Sequence, residues 1–68
     1  MAVSPKIKNP TIRKVRNRGF IPISYHSDKY GIQNGWIYKT GHKWTHAHFP
    51  SLGNVRISKA NLRYVKEL

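Results

Sequence analysis

The stretch Gly35 to Asn54, GWIYKTGHKWTHAHFPSLGN, constrains this chain more than any other part of it. Two runs rich in aromatic and β-branched residues, Trp36-Ile37-Tyr38-Lys39 and Lys43-Trp44-Thr45-His46-Ala47-His48-Phe49, flank a tight Thr40-Gly41-His42 turn. Gly35 precedes the pair and Pro50 follows it, which is the punctuation of a β-hairpin. Side chains alternate faces along a strand. Thr45, Ala47 and Phe49 therefore share one side of the second run, and Trp44, His46 and His48 share the other. The first side is fit for a core. The second offers an indole and two imidazoles, with Lys39 and Lys43 alongside, and it is where function is expected.

At 68 residues the chain makes a single small domain. A domain this size buries only ~60% of the surface its unfolded form exposes, so its stability is low. There is no cysteine to add a disulfide or a thiolate–metal site. That composition is compatible with a reducing compartment, and a cytoplasmic location is expected. No apolar run approaches the ~20 residues of a membrane-spanning helix, and no apolar segment follows the basic N-terminus as in a secretory signal.

Charge narrows the partner. Thirteen Lys and Arg face only Asp28 and Glu67, for a formal net charge of +11 and a pI near 10.6. So one-sided a charge repels itself in a compact chain, and a polyanion relieves that repulsion. Nucleic acid is the expected partner and an acidic protein surface the alternative. A membrane is not expected to be one.

Taken in order, Met1 to Arg18 carries Lys6, Lys8, Arg13, Lys14, Arg16 and Arg18 and no acid, with Pro5 and Pro10 as interruptions. This composition predicts a flexible basic arm over 1–18 that lies along phosphates, with room for a short helix or strand through Ile12 to Val15. Gly19 to Tyr25, GFIPISY, predicts the first strand, with Ile21 and Ile23 inward and Pro22 at an edge or bulge. His26 to Asn34 reads as a polar loop closed by Asn34-Gly35, in which Tyr25 and Tyr30 either stack on a ligand or pack over the barrel mouth. Pro50 to Asn54 is a second turn. Val55 and Ile57 then alternate with Arg56, Lys59-Ala60-Asn61 fits one 3₁₀ turn, and Leu62 to Val65 closes the chain as a last strand.

Five short strands in this order, with a one-turn 3₁₀ link before the last, resemble the SH3-like small barrel. KOW, Tudor and related nucleic-acid-binding or ribosome-associated modules share that layout. The residues that carry the likeness are Gly35-Trp36-Ile37, similar to a Gly-x-Val entry to the second strand, and the ending Val55 to Val65, within residues 19–66. The resemblance implies an all-β fold: a single five-stranded SH3-like barrel over 19–68 behind the basic arm of 1–18. The chain departs from peptide-binding SH3 domains in having no acidic specificity loop, and from Tudor domains in having no full aromatic cage. Ile21, Ile23, Ile37, Ala47, Phe49, Val55, Ile57, Leu62 and Val65 are the expected core.

Catalytic and metal chemistry find little support. There is no carboxylate pair, no Ser/His/Asp set and no phosphate-cradling glycine loop, so an enzyme is not expected and no catalytic residue is assigned. His46-x-His48, with His42 before it, could bring imidazoles to one ion, yet no third ligand class is near, and neither a metal nor another cofactor is expected. The basic–aromatic pattern is stronger. Tyr30, Trp36, Tyr38 and Trp44 are candidate stacking residues, with His46 and His48 beside them. Lys39, Lys43, Arg56 and Arg63, together with Arg13, Lys14, Arg16 and Arg18 of the arm, are candidate phosphate contacts. The expected function is non-enzymatic nucleic-acid binding, through phosphate contacts and stacking, with little sequence specificity. The alternative is a small basic adaptor docked on an acidic protein in a transcription, translation or virion assembly, with Trp44 and Tyr38 as anchors.

Overall fold

The computed structural model describes residues 5–68, so the first four positions of the expected arm lie outside the described residues. A helix α1 (Ile12–Asn17) is followed by strands β1 (Ile21–Ser27), β2 (Gly31–Thr40), β3 (Trp44–Phe49) and β4 (Gly53–Ser58). A 3₁₀ segment (Lys59–Tyr64) then leads into β5 (Val65–Glu67). The strands form one antiparallel sheet in the order β4-β3-β2-β1-β5. The sheet is open, with β4 and β5 as its two edges.

The hairpin expected from the sequence is β2–β3, and its alternation is as read: Thr45, Ala47 and Phe49 are buried on one face. Ile23 and Ile57 are buried with Ala47 and Phe49, while Ile37, Val55, Leu62, Val65, Tyr25 and Leu52 pack partly against them. Full burial of a Phe or Ile side chain stabilises the fold by about 1.5–3 kcal/mol. Ile21 is the exception among the expected core residues. It pairs with Ile37 on the core face but lies 41% exposed at the end of the strand, beyond the reach of the Phe49 cluster.

Gly35 has a packing reason that its sequence context conceals. Far from ending a loop, it pairs with Ile23 in the middle of β2. A Cβ there would collide with the His48 carbonyl oxygen and stand 2.5 Å from Phe49 Cδ1. Only a residue without a side chain lets β2 cross the Phe49 ring this closely. The expected polar loop of 26–34 is correspondingly short: β1 continues through His26 to Ser27, and β2 starts at Gly31. Ser27 Oγ accepts from the Lys29 and Tyr30 amides and closes that hairpin. Ile32 is 66% exposed, so this extension is held by backbone ladder bonds and turn chemistry with little burial.

The stretch before β1, expected as a flexible arm with room for a short helix or strand through Ile12 to Val15, contains α1, capped at both ends. Thr11 Oγ1 accepts from the Lys14 amide at 3.1 Å as an N-cap. At the other end Phe20 N bonds to Val15 O and Gly19 N to Arg16 O, with Gly19 at φ +80°, the paired bonds of a Schellman ending. Val15 is 3% exposed, and the helix packs on β1. This second layer covers the reverse of the sheet, where Pro22 and Trp36 are cross-strand partners.

Candidate functional site

The reverse face divides into a covered part and an open part. On the covered part Trp36 is only 2% exposed, its indole N–H donates to the Pro5 carbonyl at 2.8 Å, and its ring lies 5.2 Å from that of His48. His48 is buried as well and shares a 2.7 Å hydrogen bond with the Asn54 side chain, the ring N–H donating. Both residues sit on the predicted face, yet both are withdrawn from the surface. Trp36 is a packing residue, not an exposed platform, because residues 5–17 fold back over it. Pro10, Ile12, Val15, Pro22, Pro50 and Leu68 line the shallow apolar cleft around it.

The open part is a ladder of rings and cations. A β-bulge between Ile37 and Lys39 leaves Tyr38 as an extra residue, since Ile37 pairs with Ala47 and Lys39 with His46. The bulge turns Tyr38 and Lys39 toward the same side. Tyr38 lies 6.2 Å from His46, their rings tilted at 47° so that neither covers the other, and 6.4 Å from Phe20 in an edge-on contact. His46 pairs across β3–β4 with Arg56, whose guanidinium lies 5.1 Å over the Trp44 ring. At the opposite end the Arg18 guanidinium lies 5.7 Å from the Phe20 centroid. The resulting row is Arg18, Phe20, Tyr38, His46, Arg56 and Trp44, with Lys39 opposite His46. Trp44 is 41% exposed, and Tyr38 and His46 are half-buried, so their rings are fixed by packing and still reachable.

Other sequence-selected residues are placed elsewhere. Lys14 Nζ donates to the Lys8 and Asn9 carbonyls, and an Arg16 Nη donates to the Leu68 carbonyl at 2.9 Å, so these two cations help fasten the N-terminal segment. Arg13 is exposed on α1. Lys43 falls in the β2–β3 turn, not in β3, beside the Gly41 N to Trp44 O bond that closes it. Tyr30 and Arg63 lie at the far end of the molecule, on the β1–β2 turn and the 3₁₀ segment. Phe20 is the ladder residue that sequence reading passed over. Its signal is its place just after Gly19, where the chain leaves the basic segment on the same alternation as Pro22.

Among the described residues no three His, Asp or Glu side chains come together to hold a metal ion, and no helix is long and apolar enough to cross a membrane. No buried side-chain nitrogen or oxygen among them lacks a hydrogen-bond partner, so the polar residues of the interior are accounted for by the fold. What stands out chemically is the row of reachable planar rings flanked by guanidinium and ammonium groups. Comparison of the chain with protein-family models, with curated proteins and with solved structures finds no match to any of them.

Proposed function

We propose that this protein binds single-stranded nucleic acid through the ring-and-cation ladder of its open sheet face, without catalysis and with little base specificity. The observation that carries the reading is the placement of Arg56 over Trp44, and of Arg18 over Phe20, at the two ends of a row that passes through Tyr38 and His46. Each end offers a flat ring for a base and a guanidinium for the adjoining phosphate. Stacking of a base on an aromatic side chain contributes ~1–3 kcal/mol, and every base has a face to stack. Phosphate contacts add salt-dependent affinity without reading sequence. The net charge of +11 attracts such a ligand over a longer range. Bases paired in a duplex have no free faces, which is why the ladder suits a single strand.

The order β4-β3-β2-β1-β5, with a 3₁₀ segment leading into β5, supports the finer reading of the fold as a small SH3-like barrel. In that reading the binding face is the outside of the β2–β4 part of the barrel.

The test is a fluorescence titration. Trp36 also emits, so the Trp44→Phe variant supplies the blank. The Trp44 signal should be quenched by a single-stranded oligonucleotide and left unchanged by an abasic phosphate polymer of equal charge. Equal quenching by both ligands would overturn the stacking role. Tight one-to-one binding of an acidic protein, with weak oligonucleotide affinity, would favour an adaptor in its place.

A further inference from the structure

A second group of rings and cations lies at the other end of β2, away from the ladder. The ten residues of β2 run from Gly31, next to Tyr30, to Thr40 at the turn that carries Lys43. At the Gly31 end two adjoining pockets share His26 and Tyr64. The larger, of about 210 Å³, is lined by Tyr25, Ser27, Asp28, Lys29 and Asn61 as well. The smaller, of about 140 Å³, adds Arg63 and Lys66 to the shared pair and contains no acid.

We infer that these pockets form a second nucleotide site, so that one molecule holds two separate single-stranded segments; the inference rests on the function proposed above. Tyr64 is 43% exposed and carries the Arg63 guanidinium 4.8 Å over its ring, with an Arg63 Nη also donating to its hydroxyl at 2.8 Å. This is the arrangement of Arg56 and Trp44 built a second time, on a different element. Its pockets divide the chemistry of a nucleotide between them. The smaller holds only cationic or neutral groups, so the phosphate belongs there, between Arg63 and Lys66. Asp28 at the larger pocket repels a phosphate, while its carboxylate and the Asn61 amide can meet the hydrogen-bonding edge of a base laid against Tyr64. A carboxylate only accepts, so the site favours a base with an exocyclic amino group.

The two sites stand toward opposite ends of β2, and α1 packs on β1. A strand short enough to occupy one leaves the groups of the other free. A longer strand, or two strands, fills both, and the protein then draws two segments together.

The experiment is an amide chemical-shift titration of the full chain with a deoxycytidine tetranucleotide. Two separate groups of residues should shift, one around Tyr38, Trp44 and His46 and one around His26, Arg63, Tyr64 and Lys66. The double variant Arg63→Gln/Lys66→Gln, both at exposed positions, should lose the second group and retain the first. Shifts confined to the first group in the unmodified protein would overturn the second site and leave the ladder intact. The absence of shifts in either group would overturn both.

Discussion

The Trp36 indole N–H donates to the Pro5 carbonyl oxygen at 2.8 Å, and this bond ties the strand at the centre of the sheet to a segment 31 positions earlier in the chain. It makes the segment from Pro5 onward part of the fold's second layer, together with Val15. Removing residues 1–17 exposes the Trp36 ring and strips its N–H of its partner. The truncation also removes Val15, whose burial contributes about 1.5–3 kcal/mol, and each kcal/mol lowers the melting temperature of a domain this size by about 4–8 °C. Thermal unfolding of the truncated chain should therefore shift down by at least about 5 °C. An unchanged midpoint would return these residues to the status of a tail.

Gly35→Ala should be among the most damaging small substitutions available. Its methyl group meets backbone at His48 and ring at Phe49, neither of which is the movable tip of a side chain. Overpacking of this kind costs typically ~1–3 kcal/mol, and a backbone obstacle puts this one at the upper end. Chemical denaturation should show the loss as a lowered midpoint. Wild-type stability in the variant would mean that β2 does not cross Phe49 as described.

Phe49→Ala and Ile21→Ala should separate cleanly, although alternation alone assigns both residues to the core. Phe49 is 0% exposed and Ile21 41%. The first truncation should cost about 3–5 kcal/mol and the second under about 1 kcal/mol. Denaturant midpoints decide the matter, and near-equal losses would show that the core reaches Ile21.

The sequence was most legible where one physical rule acted alone. Alternation in β3 named its buried face, because Thr45, Ala47 and Phe49 answer to a single core. The same rule placed Trp36 and His48 on the reverse face correctly but said nothing of what covers that face. Their burial comes from a non-local layer, and only the caps of α1 announced it: Thr11 at its start and Gly19 after its end. Those two signals were masked by the density of basic residues, which resembles a disordered tail in composition. Asn34-Gly35 misled for a different reason. A dipeptide that usually marks a turn here marks a crossing over a ring, and the obstacle, Phe49, is fourteen positions away in the sequence. Of the ladder, Tyr38, His46, Trp44 and Arg56 were visible as a pattern. Their meeting with Phe20 depends on strand order, which local pattern does not encode.

Trp44→Ala should spare the fold and weaken binding of a single-stranded oligonucleotide. Loss of one stacked base corresponds to about 1–3 kcal/mol, or roughly 5- to 150-fold in affinity. Arg56→Gln should act differently. It removes one phosphate contact and so should flatten the log–log dependence of affinity on salt by about 0.7 for a single strand. Titrations at several salt concentrations distinguish the two. A Trp44→Ala protein that binds like the wild type would take stacking out of the mechanism.

The bulge at Tyr38 also bears on how the chain tolerates changes in length. Ile37 pairs with Ala47 and Lys39 with His46, so Tyr38 is the one position in β2 that the β3 ladder passes over. Deleting a residue elsewhere in the strand would turn its inward and outward sets over. Deleting Tyr38 restores a continuous ladder and keeps Ile37, Ala47 and Lys39 on their own sides. The open face can thus lose or regain a ring through a single codon's deletion or insertion, with the inward-facing set of β2 and β3 kept in register.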